Sequence, residues 1–118
     1  KPSNTDQADF LLNNKNKVIC NELPHENYRF KIYLKNGDAK IENTTRFVTW
    51  ADKYDDGRVY IPTGTRKILT GNTQYTHPYI YGQYFYVKDE KMASMAMLAM
   101  GELLHKTEEY VLKSEVNA

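Results

Sequence analysis

The sequence predicts a single α+β domain in which an antiparallel sheet of about five short strands, arranged as a meander of hairpins, packs against one long C-terminal helix. Three observations predict it. Residues 28–35 alternate strictly between apolar and polar, glycine-bearing turn signals separate a series of short β-prone runs, and the last third of the chain is built from strong helix formers. At 118 residues one core suffices, and 41% hydrophobic with 26% charged residues is an ordinary globular balance.

Residues 1–17 are rich in Asn, Ser, Thr and Asp and read as a loosely ordered arm with one apolar knot, Phe10, Leu11 and Leu12; the folded domain is expected over 18–118. A brief strand over 18–23 ends at Pro24, which disfavours helical and favours extended backbone in the residue before it. In the next strand Tyr28, Phe30, Ile32 and Leu34 share one face, and Arg29, Lys31, Tyr33 and Lys35 the other. Asn36-Gly37 suits a type I′ turn, so the chain is expected to fold back over 39–42 as a hairpin. Phe47, Val48 and Trp50 then give 46–51 the character of another strand. The turn residues Asp55-Asp56-Gly57 and Pro62-Thr63-Gly64-Thr65 deliver two more short strands, over 58–61 and 66–70, before a polar loop over 71–78.

Residues 79–87 read YIYGQYFYV, a nearly unbroken aromatic and apolar run that predicts a central strand, with Gly82 marking a bulge or close approach. Asp89 stands where an N-cap belongs, and the Ala, Met, Leu, Glu and Lys that follow predict a helix from Glu90 to about Lys113.

A formal charge of +1 removes any argument for a polyanion partner from total charge. No apolar run reaches the roughly 18 residues of a membrane span, so a membrane role is not expected. The single cysteine, Cys20, forms no internal disulfide, and with no signal-peptide pattern visible it favours an intracellular location. Abundant Asn, Tyr and Lys fit an AT-rich genome such as that of a phage or virus.

The run Cys20, Glu22, His25 and Glu26 mixes metal-ligating types without the paired spacing of a zinc site, and Asp52, Asp55 and Asp56 miss the calcium-loop pattern at Tyr54 and Thr63. The Thr63–Lys67 turn lacks phosphate-loop spacing, and three scattered histidines accompany no nucleophile motif. No cofactor, metal or catalytic constellation is therefore implied, and an enzyme ranks behind a binding module.

Two features point to binding. Residues 57–88 contain no acidic residue, while Arg58, Arg66, Lys67 and Lys88 stand among many tyrosines. Rings interleaved with cations are what single-stranded nucleic acid needs, for base stacking and for its backbone, and Arg58, Arg66, Lys67, Tyr79, Tyr81 and Tyr84 are the candidate contacts. As the alternative, Met92, Met95, Met97 and Met100 fall within nine residues of one helix and could offer an adaptable face for a protein partner or a second copy of the chain. The two readings turn on residues 79–87, where only one face of the strand can lie beneath the helix.

Overall fold

A computed structural model describes residues 16–70 and 78–116. The apolar knot at Phe10, Leu11 and Leu12, the rest of the arm up to residue 15, and the loop over 71–77 lie outside the described residues. Among the described residues, seven strands and four α-helices follow in chain order: β1 Asn16–Cys20, β2 Phe30–Leu34, β3 Gly37–Asp38, α1 Ile41–Asp52, β4 Val59–Tyr60, α2 Thr63–Leu69, β5 Tyr79–Ile80, β6 Tyr84–Val87, α3 Glu90–Met100, β7 Leu104–Leu112 and α4 Lys113–Val116. Five strands form one mixed, mostly antiparallel sheet in the order β1-β7-β2-β6-β4, and β3 pairs with β5 in a separate two-stranded ribbon.

Strand β2 is built as its alternation predicts over Phe30–Leu34: Phe30, Ile32 and Leu34 are buried, and Lys31 and Tyr33 are half-buried on the other side, whereas Tyr28, predicted to share the Phe30 face, precedes the strand and packs its ring on Tyr60 and Tyr86. Its antiparallel neighbours β6 and β7 carry the same two-sided pattern, because Ile32 stands opposite both Phe85 and Thr107. Since β2 is antiparallel to both, β6 and β7 run in the same direction, joined by α3 crossing over the sheet. The parallel pairing of β1 with β7 completes one edge.

Several predicted elements differ. The helix expected to reach Lys113 ends at Met100, passes through a 3-10 turn, Gly101–Leu103, and gives way to the nine-residue strand β7. Helix-forming Glu and Lys tell little in a strand whose outer face meets water, and pairing on both edges outweighs their propensity. The predicted strands over 46–51 and 66–70 are helical, and the return strand over 39–42 is absent: β3 stops at Asp38 and pairs with β5. In α1, Thr44, Phe47, Val48 and Ala51 are all buried, the i, i+3, i+4, i+7 spacing of one helical face. The predicted single strand over 79–87 is broken into β5 and β6 at Gly82, whose φ of +66° suits glycine. The first strand starts at Asn16, two residues before the predicted boundary.

Helices α1 and α3 cover the Phe30, Ile32, Phe85 and Val87 face, with α2 beside α1. The Phe47 ring meets Phe85 edge-on at 4.8 Å. Ala93 and Ala96, with no exposed surface, bring α3 close to the sheet, while Met92, Met97 and Met100 fill the spaces around them. Asp89 caps α3 as expected, its carboxylate accepting from the Met92 amide at 3.0 Å. No helix of the described residues is long and apolar enough to cross a membrane.

Two substitutions test this packing by chemical denaturation. Asp89→Ala is expected to cost about 1 kcal/mol through loss of the cap. The Thr107 hydroxyl is buried and finds no hydrogen-bond partner among the described residues. Thr107→Val, which keeps the shape and removes that group, is expected to stabilise by about 1 kcal/mol, and a loss of similar size would show that the hydroxyl is satisfied.

Candidate functional site

The outer face of the sheet is assembled from the polar half of each alternation. Lys31 and Tyr33 come from β2, Tyr84 and Tyr86 from β6, Tyr60 from β4, and Lys106, Glu108 and Tyr110 from β7. Cross-strand register sets Lys31 beside Tyr86 and Glu108, and Tyr33 beside Tyr84 and Lys106, so these side chains form one continuous surface.

Its rings are contiguous. Tyr33 meets Tyr84 at 6.0 Å, Tyr84 meets Tyr86 at 5.6 Å, and Tyr86 stacks on Tyr60 at 6.2 Å between centroids. The run continues onto the turn Pro24–Glu26, where the His25 ring lies 4.7 Å from Tyr60 and 5.3 Å from Tyr86, with Tyr28 packed alongside. These four rings touch one another too closely to leave a cage for a cationic ligand between them. Placing His25 there requires strain: His25 and Glu26 have φ of 53° and 61°, a left-handed conformation that costs roughly 1–2 kcal/mol per residue. The turn is held by hydrogen bonds from the Glu26 amide to the Leu23 carbonyl and from the Tyr28 amide to the Pro24 carbonyl, and the Asn27 side chain donates to the Gly57 carbonyl.

Two lysines lie over the rings. The Lys31 ammonium is 4.1 Å from the Tyr84 centroid and 4.9 Å from that of Tyr33, and the Lys106 ammonium is 4.6 Å from Tyr33. Between them the Tyr33 hydroxyl donates to the Glu108 carboxylate at 2.9 Å. Partial burial and then this bond push the Tyr33 hydroxyl up to about 12, and burial also raises Tyr86 and Tyr110. At one end of the surface Arg29 ties β7 to α4, donating to the Tyr110 carbonyl and to Glu115, at 3.1 Å each. The amide of Leu112 and then Arg29 hold the Glu115 carboxyl below its usual range.

Of the six contacts the sequence singles out, Tyr84 lies on this surface. Tyr79 and Tyr81 belong to the β3–β5 ribbon region and are 63% and 70% exposed. Arg58 pairs with Asp56 at 2.8 Å and lies over the Tyr54 ring at 4.8 Å. The Arg66 guanidinium pairs with Asp52 of α1 at 2.9 Å, and Lys67 is exposed on the same helix, so this basic pair belongs to the helical layer. Of the four methionines the sequence singles out, Met92, Met97 and Met100 are core residues, and Met95 is half-buried against the core. Among the described residues no three His, Cys, Asp or Glu side chains converge as a metal site would require.

Lys31 and Tyr33 are visible in the sequence as the outward half of a period-2 pattern. Lys106 and Glu108 are not, because residues 104–112 read as helix. No family model, no curated protein and no solved structure matches the chain.

The Tyr33 bond has a pH signature. Its folded value lies above the ordinary 10.0, so its contribution to stability is complete below pH 10 and is lost as pH rises through about 12. In an alkaline titration followed by phenolate absorbance, Tyr33→Phe is expected to remove the last-ionising component. A titration curve unchanged in its final phase would contradict the assignment.

Proposed function

We propose that the outer face of the sheet binds single-stranded nucleic acid. The observation that carries this reading is the contiguous ring surface from His25 to Tyr33 with Lys31 and Lys106 lying across its tyrosines. Bases stacking on such rings gain about 1–3 kcal/mol each, whereas an exposed lysine over a ring, as Lys106 is, is worth roughly 0.5–1 kcal/mol. A base therefore outcompetes the Lys106 ammonium for the Tyr33 ring, and the displaced lysine is then available to a phosphate. Both interactions gain from the rearrangement of one flexible side chain.

The surface differs from the one the sequence points to. Arg66 and Lys67 supply no part of it, and its cations come from β2 and β7. Three of the four methionines are in the core and Met95 is half-buried, which gives less support to the alternative, partner-docking reading. The proposed ligand is met by a preformed sheet, so little ordering entropy opposes binding beyond that of the nucleic acid itself.

Fluorescence anisotropy with a labelled oligonucleotide tests the proposal. Binding is expected at low salt and should weaken as salt rises. Tyr84→Ala is expected to reduce affinity about tenfold. Lys31→Ala with Lys106→Ala should lower the slope of log affinity against log salt by about 1.4, the share of two phosphates on a single strand. Arg66→Ala with Lys67→Ala serves as the control and should bind as the parent does. Absence of salt-dependent binding, or an equal loss in the control, would overturn the reading.

A further inference from the structure

We infer that Glu108 makes this surface selective for guanine, an inference that rests on the single-strand reading above. A carboxylate in the middle of a face that meets phosphates is electrostatically costly, and Glu108 is fixed there by register, directly opposite Lys31 on β2. Its Oε1 accepts from the Tyr33 hydroxyl at 2.9 Å, which holds the carboxylate at the rim of the Tyr33 ring. The edge of a base stacked on that ring ends at this rim.

An ionised carboxylate is an acceptor only, with about four lone-pair positions over its two oxygens, so a bond from Tyr33 leaves capacity for a base. The bases of a single strand present their Watson–Crick edges unpaired. Guanine offers two donors side by side there, the ring N1–H and the exocyclic amino group, which match the two oxygens of a carboxylate. Cytosine and adenine each set an acceptor nitrogen next to the amino donor, and thymine and uracil flank their one N–H with carbonyls. All of these bring a lone pair toward Glu108. Lys31, opposite Glu108 across the strands, and Lys106, two residues before it on β7, supply charge for the phosphates next to the bound base.

The test compares oligothymidylates of about ten nucleotides carrying one central guanine, cytosine, adenine or thymine, a length within the usual site size and with too little guanine to self-associate. The parent protein is expected to favour the guanine oligomer by about tenfold over the all-thymine one. Glu108→Gln keeps the volume and an oxygen for Tyr33 but replaces one acceptor with a donor. It should abolish that preference while binding the all-thymine oligomer equally well or more tightly, since a negative charge is removed. Binding without a guanine preference, or a preference that survives Glu108→Gln, would overturn the inference and leave the single-strand reading standing. Failure of all four oligomers to bind the parent would overturn both.

Discussion

The structure depends on the pairing of β7 on both of its edges. Leu104–Leu112 lies between β1 and β2, parallel to one and antiparallel to the other, and without it β1 would have no partner and the central strand β2 would lose one of its two neighbours. The strand tolerates a polar sequence there because one side alone must be apolar: Leu104 and Thr107 enter the core while Lys106, Glu108 and Tyr110 stay half-buried or exposed. The same division runs through β2 and β6, so a single constraint, one covered face and one outer face, both builds the core and lays out the ring surface.

What could be read from the sequence follows from how local each signal is. Strand β2 is legible because five residues alternate without interruption, and the start of α3 because Asp89 provides a cap within three residues of its target. Helix α1 carried a usable signal in Thr44, Phe47, Val48 and Ala51, but the β-prone Phe47, Val48 and Trp50 obscured it. Strand β7 was hidden for a deeper reason. Helix-forming residues dominate it, and its partners on β1 and β2 are far away in sequence, so nothing local distinguishes it from a continuation of α3.

The candidate surface was legible by the same measure. Its tyrosines belong to strands, and Tyr84 stands out because it lies in an aromatic run within an acid-free stretch. Its cations could not be chosen by counting charges along a window of sequence, because Lys31 and Lys106 become neighbours only through pairing across β2 and β7. Arg58 and Arg66 stood out in an acid-free stretch, yet each reaches a carboxylate, Asp56 just before that stretch and Asp52 on the preceding helix. Charge in sequence and charge in space separate wherever a chain folds back on itself.

Strand β1 is the clearest product of that separation. Cys20, its last residue, approaches the Val111 carbonyl from 91 positions away, and β7 is its partner in the sheet. Closing so long a loop brings no reward until β7 itself is in place to pair with β1. The Cys20 thiol is half-buried in the docked strand and becomes fully exposed when the strand lifts away. The part of its alkylation rate that exceeds reaction of the docked state thus reports how often the edge of the sheet opens, a local stability distinct from that of the whole domain.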